Sequence, residues 1–340
     1  MRSITVQQVW KARKRIDSIA RKTPLIYSEE LSEAARRNVY LKLENLNTTN
    51  SFKIRGAANK ILSLTEEEKN RGITTFSTGN FGRSVAYVAK RLGIKAVICI
   101  SNRVPQAKVD ALTRLGATVE IVGMSQDDAE KRSYQLQEEE GLAVIHPFDD
   151  ADVIAGQGTI ALEILEQLPE TDTVLTGLSG GGLASGLGVV FKQTNPDIKV
   201  YGLSTEKGAA MYESIQAQKI VTVEEQDTLA DSLLGGIGMN NQYTFQLVQR
   251  YVDDIILLKE NEFAAGMLFM LDHHRMIIEG AAAGGIGALL SERFSELGEN
   301  IVIIISGASV DPQTVYNLKK EYAIASGNNE PSQFQGGSLG

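Results

Sequence analysis

The feature that most constrains the fold is an alternation. From about residue 72 the chain switches between short β-branched runs and longer amphipathic ones: 73–77, then 80–92, 95–100, 105–115, 118–122, 125–140 and 143–146. Strands separated by helical patterns of roughly 10–15 residues do not form hairpins, because each helix carries the chain back across the sheet and the strands run parallel. Gly93, Gly116 and Gly141 each fall just past a helical run, where a left-handed C-cap is expected. The stretch 72–148 therefore reads as one compact α/β unit.

A second series of the same kind follows. Helix 153–168, strand 173–178, a glycine-opened helix from 182 and strand 199–203 lead into helices 206–217 and 244–252. Strand 254–258, helices 260–274 and 285–297, strand 300–305 and helix 311–322 complete it. Before residue 72, the spacing of Val6, Val9, Trp10, Ile16 and Ile19 predicts an amphipathic helix over 5–20, stopped at Thr23 and Pro24. A second helix begins after the candidate cap Ser28, then comes a strand over 39–44 and a helical run over 54–64. That strand is expected to join the later series in one larger sheet, with 72–148 inserted. The expected division is a large domain of 1–71 with 149–325, a small domain of 72–148, and a disordered tail over 326–340, where Gly, Ser, Asn and Gln dominate.

Composition narrows the function classes. A chain of 340 residues that is 43% hydrophobic is long enough for two cores, and a net charge of −8 without a Lys/Arg cluster argues against a nucleic-acid partner. The one cysteine, Cys99, cannot form an internal disulfide, and a reducing compartment is the simplest expectation. No apolar stretch reaches the roughly 18 residues of a spanning helix, and the N-terminus lacks the apolar block of a signal peptide, so a cytoplasmic protein without membrane contact is expected. His273 and His274 are adjacent on a helical run and point about 100° apart, which suits surface or interface residues better than one metal site.

Three segments sit where a strand hands over to a helix, a place where chemistry-bearing side chains are often displayed. The first contains Ser51, Phe52, Lys53, Ile54 and Arg55; the second Ser77, Thr78, Gly79, Asn80, Phe81 and Gly82; the third Ser179, Gly180, Gly181, Gly182 and Leu183. Glycines opening a helix can turn several N–H donors toward an anion, and three glycines at such a turn can equally be structural. A dinucleotide fingerprint would need glycine where Ser185 stands, and no GK[ST] follows. The Ser77–Asn80 segment reads either as a helix cap with a turn or as a carboxylate site. Ser306, after the apolar run 301–305, reads as a strand-end hydroxyl or as a ligand-binding one.

Taken together and in this order, these segments resemble the pyridoxal-phosphate enzymes of the tryptophan-synthase-β fold type, nearest the serine/threonine dehydratases and serine racemases. The likeness extends from Arg21, Lys22, Thr23, Pro24 and Leu25 to Ser306, Gly307, Ala308, Ser309 and Val310. Around 234–238 and 272–280 the wording looks most like the hydroxyectoine-utilisation dehydratase branch. The resemblance implies two parallel-rich sheets wrapped by helices, an active site between a large and a small domain, a homodimer, and pyridoxal 5'-phosphate as cofactor. It further implies a Schiff base on Lys53, which also removes the substrate α-proton, with Phe52 against the cofactor ring and Asn80 at the ring oxygen. Ser179, Gly180, Gly181, Gly182 and Leu183 would hold the phosphate and Ser306 the ring nitrogen. Ser77, Thr78, Gly79, Asn80 and Phe81 would bind the amino-acid substrate.

The implied reaction is loss of water and then ammonia from a 3-hydroxy amino acid such as L-threonine or L-serine, giving a 2-oxo acid. A hydroxyl on the ring nitrogen, unlike a carboxylate, leaves the ring a weaker electron sink and favours β-elimination. Racemisation is the alternative, since serine racemases carry a serine where Thr78 stands, and that hydroxyl works on the face opposite the lysine. Phe81 replaces the family's usual histidine and Arg83 its glutamine, while Ser232 and Ser309 also depart from its pattern. The carboxylates that hold a cation in many relatives align with Ser204 and Ala210, so no metal is expected there. Glu279 occupies a family position near the cofactor, and a glutamate without an active-site role stays equally open. Arg103 could meet a polar substrate side chain, but reads more readily as a solvated loop arginine.

Overall fold

The computed structural model describes residues 4–77, 79–104, 106–224 and 226–325. Thr78 and the tail 326–340 lie outside the described residues. In chain order the strands are β1 (Leu25–Tyr27), β2 (Asn38–Lys42), β3 (Ile73–Thr75), β4 (Ala96–Ile100), β5 (Thr118–Ile121), β6 (Ala143–Val144), β7 (Thr173–Gly177), β8 (Lys199–Thr205), β9 (Asp254–Leu258) and β10 (Asn300–Ile304). A six-stranded sheet runs β1-β2-β10-β7-β8-β9, and a four-stranded sheet runs β5-β4-β3-β6. Both are parallel apart from the short edge pair β1–β2.

The four strands of the smaller sheet all come from the first alternating series, as its pattern predicts. β2 joins the larger sheet, with Val39 opposite Ile301 and Lys42 opposite Ile304 of β10. Ile301, Val302, Ile303 and Ile304 of β10 are all buried, the signature of a central parallel strand covered by helices on both faces.

Several boundaries move for physical reasons. β2 stops at Lys42 and the chain turns into a 3-10 helix, Glu44–Leu46, which points the Glu44 carboxylate inward to Arg55. The helix expected over 206–217 is shorter, Ala210–Gln216, because Gly208 takes a left-handed φ of 74°. The helix expected over 285–297 is Gly280–Leu290. It is buried on every side up to Leu289, so it has no polar stripe from which periodicity could place its start. Its glycines allow close approach: a Cβ on Gly287 would lie 2.1 Å from Glu262 O of the helix Glu260–His274. The helix Glu66–Arg71, opened by a Thr65–Glu68 capping box, and the edge strand β1 were not anticipated.

The helix Lys53–Ser63 is locked in place just below its first residue. Arg55 donates from Nε and Nη2 to Glu44 (both 2.8 Å) and from Nη1 to Glu163 Oε1 (2.7 Å). Lys42 Nζ donates to Glu163 Oε2 (2.7 Å), Thr23 O and Gln167 Oε1 (both 2.8 Å). Burial alone would push the Glu163 carboxyl up, but Arg55 and Lys42 hold it below the usual range. The same helix lies so close to Ala151–Gln167 that a Cβ on Gly156 would sit 2.6 Å from Arg55 O.

Candidate active site

The candidate segments leave the C-terminal ends of parallel strands in both sheets, and they converge on one cavity of about 210 Å³. The crevice outside the carboxyl ends of the strands is where open α/β sheets bind ligands. Phe52, Lys53, Ser77, Gly79, Asn80, Phe81, Ser179, Gly180, Gly181, Gly182, Leu183 and Ser306 all line it. Every expected site residue within the described chain is thus in one place. Thr78, expected to contact substrate, lies outside the described residues.

Lys53 is the first residue of its helix, held by pairing of the preceding loop with the segment after β10. Phe52 N donates to Ser306 O (3.0 Å), Ala308 N to Asn50 O (3.0 Å), and Ser51 bridges Gly307. Asn50 takes a left-handed φ of 59° to make this turn. The Lys53 amine lies 4.9 Å from the Phe52 ring centre and 6.0 Å from that of Phe81. Burial among these rings lowers its pKa to about 8, against the opposing pull of the Glu279 carboxylate. A substantial fraction of this amine is therefore neutral near physiological pH and able to act as nucleophile or base.

The glycine loop presents a helix start without a side-chain cap. Gly181, at φ 86°, is the N-cap of Gly182–Thr194, and among the described residues no side-chain cap bond is made there. Small size is enforced here by neighbours: a Cβ on Gly180 would lie 2.5 Å from Phe148 Cγ, and one on Gly182 would lie 3.0 Å from Phe148 Cα. Ser179 Oγ donates to Leu234 O (3.3 Å), fixing the loop entrance. An uncapped helix N-terminus with bare backbone is built for an anion. Gly79 is the N-cap of the helix Asn80–Leu92, again without a side-chain cap bond, and this second helix start lines the same cavity.

Residues outside the expected set complete the walls. Phe148 covers the glycine loop and packs edge-on against His146 at 4.7 Å between ring centres. The His146 ring is held by Phe148 N and Asp149 N, both donating to Nδ1. Lys108 and Asp231 face each other at 3.9 Å across the mouth. Glu279, left open by the sequence, lines the cavity, is almost fully buried, and accepts from Asn80 and Ser309. Its signal was a lone carboxylate between the apolar Ile277 and Ile278 and an all-apolar helix. Phe148 carried no such mark. Arg103 is exposed, and His273 and His274 are engaged locally with Glu30, Phe269 and Ser28.

Comparison with known proteins finds likenesses over most of the chain. A family model described as pyridoxal-phosphate dependent enzyme matches residues 16–307. A relative from Sinorhizobium fredii that carries a threonine dehydratase name is 45% identical over 309 residues, 91% of this chain and 93% of its own. The L-threonine ammonia-lyase of Thermotoga maritima is 39% identical, over 95% of this chain and 80% of its own. Among solved structures, maize serine racemase superposes with a TM-score of 0.87 at 31% identity, covering 95% of this chain and 99% of that one.

Proposed function

The chain belongs to the pyridoxal-phosphate dependent enzymes, and from that premise we propose that it is an ammonia-lyase for a 3-hydroxy amino acid, L-threonine, L-serine or a close analogue. The observation that carries the reading is the half-buried Lys53 amine, of pKa about 8, lining one cavity together with a glycine-built helix start and the start of Asn80–Leu92. The residues present fit the cofactor. Phe148 leaves room over Gly180 and Gly182 only for bare backbone, and the uncapped start of Gly182–Thr194 suits a phosphate. Phe52 and the Asn80 amide border the space beside Lys53 that a flat ring needs.

Bound there, pyridoxal phosphate supplies a conjugated ring that withdraws electrons from the substrate nitrogen and so acidifies its α-C–H bond. Ser179, Gly180, Gly181, Gly182 and Leu183 would hold the phosphate, Phe52 one face of the ring, Asn80 its oxygen and Ser306 its nitrogen. The Ser77–Phe81 loop would bind the substrate carboxylate at the start of Asn80–Leu92. That leaves the α-hydrogen facing Lys53, whose neutral amine removes it; the proton then resides on Nζ. The β-hydroxyl leaves as water, taking the proton held on Nζ, and the released enamine is hydrolysed in water to a 2-oxo acid and ammonia. The rings of Phe52 and Phe81 lie beside the amine.

The likeness to maize serine racemase favours one second reading, inversion of a free amino acid at the same site. We further propose a homodimeric, cytoplasmic enzyme with residues 72–148 as a small domain against 1–71 and 149–325. Support for the division is that β3, β4, β5 and β6 pair only with one another among the described residues, and no described helix is long and apolar enough to cross a membrane. Purified protein with pyridoxal phosphate should release equimolar 2-oxo acid and ammonia from at least one member of a hydroxy-amino-acid panel, including hydroxyectoine-derived ones. Lys53→Ala should lower this rate by about 10³-fold or more. A cofactor-loaded protein that only inverts its substrates, by chiral chromatography, would establish the racemase reading instead.

A further inference from the structure

Glu279 is a buried carboxylate with no assigned part in the steps above. It is the N-cap residue of Gly280–Leu290, yet its side chain makes no bond to that helix. It turns instead to the opposite wall: Asn80 Nδ2 donates to Oε1 at 3.1 Å and to Oε2 at 2.9 Å, and Ser309 N donates to Oε2 at 2.9 Å. Arg83, three residues after Asn80 on the same helix, donates from Nη1 to Ser309 Oγ at 3.1 Å. The first turn of Asn80–Leu92, which follows β3 of the smaller sheet, is thereby pinned at two points to residues flanking the larger one.

The Asn80 amide is held from one end only. Its Oδ1 is buried and has no hydrogen-bond partner among the described residues, so among these the Glu279 carboxylate decides which way the amide faces. An ionised carboxylate only accepts, and it therefore admits the NH2 end and rejects the flipped amide. Nδ2 carries two hydrogens, and the carboxylate needs one of them to hold it.

We propose that Glu279 is a positioning residue, fixing the Asn80 amide with an N–H available to the cofactor ring oxygen and holding the first turn of Asn80–Leu92 in register with Lys53. The inference rests on the cofactor reading above. Glutamine at 279 would present both a donor and an acceptor, and both amide orientations would then be satisfied. Burial pushes the Glu279 carboxyl above the usual range and the hydrogen bonds from Asn80 and Ser309 pull it back; in its ionised form it raises the Lys53 pKa, and glutamine removes that charge while leaving the described ionisable neighbours Asp231, Lys108 and His146 in place.

The test compares wild type with Glu279→Gln and Glu279→Asp as apoenzymes titrated with pyridoxal phosphate, reading affinity, visible circular dichroism and the pH midpoint of cofactor capture. Glu279→Gln should bind about tenfold more weakly, the loss of one charge-assisted hydrogen bond. Its dichroic band should change and its midpoint fall below that of wild type. Glu279→Asp keeps the charge and loses the reach, so affinity should fall while the midpoint stays. It carries the test alone should the glutamine variant not fold. Folded variants that match wild type in affinity, dichroism and midpoint overturn the positioning role and leave the lyase reading standing. A wild-type protein that captures no pyridoxal phosphate overturns both.

Discussion

At Gly180 a single carbon decides whether the phosphate loop and Phe148 can coexist. With the Cβ position 2.5 Å from the Phe148 ring, Gly180→Ala must push the ring or the loop aside. We expect a loss of about tenfold or more in pyridoxal-phosphate affinity by fluorescence titration, with part of it recovered in Gly180→Ala/Phe148→Ala; no recovery would mean the loop fails for another reason. Lys53 makes a second demand at this scale. Its pKa of about 8 means that apoenzyme should capture pyridoxal phosphate faster as pH rises, with a midpoint near pH 8. The sign for stability follows. Between about pH 8 and 10.5 the unfolded lysine keeps a proton that the folded one has lost, so the apoenzyme gains stability from this group as pH rises through that window.

At the scale of elements, the helix that begins with Lys53 owes its position to charges it buries. Lys42, Arg55, Glu44 and Glu163 come from a strand, two helices and the turn between β2 and the lysine loop, and each satisfies the next. Removing one member strands its partners in a dry interior. Glu163→Gln should cost about 3–5 kcal/mol in urea unfolding, whereas breaking the exposed Lys95–Glu140 pair should cost less than about 1 kcal/mol. Because the Glu163 carboxyl is held below its unfolded value near 4.5, its contribution is present above that pH and lost as pH falls. The wild-type stability curve should therefore drop in acid more steeply than the variant's. Equal slopes would show that Glu163 is not the group responsible.

At the scale of the molecule, the proposed cofactor site takes lining residues from loops following strands of both sheets, so whatever binds there ties them together. A ligand that binds only the folded chain stabilises it by about 2.7 kcal/mol at a hundred times its Kd. Stripping pyridoxal phosphate, for example with hydroxylamine, should lower the melting temperature by several degrees, and adding it back should restore the loss. An apoenzyme that melts with the holoenzyme would place the cofactor outside this crevice.

Local patterning settled much of this protein in advance. Alternating β-branched and helical runs dictated parallel strands, and glycine at 180–182 after an apolar strand marked a turn fit for an anion, because chain direction and backbone freedom are properties of neighbouring residues. Burial and long-range contact are not. The all-apolar stretch from Gly280 to Leu290 hid its own helix start, since a helix covered on every side carries no periodic stripe. The sequence also left Glu279 undecided between an ordinary helical glutamate and a wall of the site. Only the packing of Asn80 and Ser309 against it, across 199 and 30 residues of chain, turned that carboxylate toward the lysine.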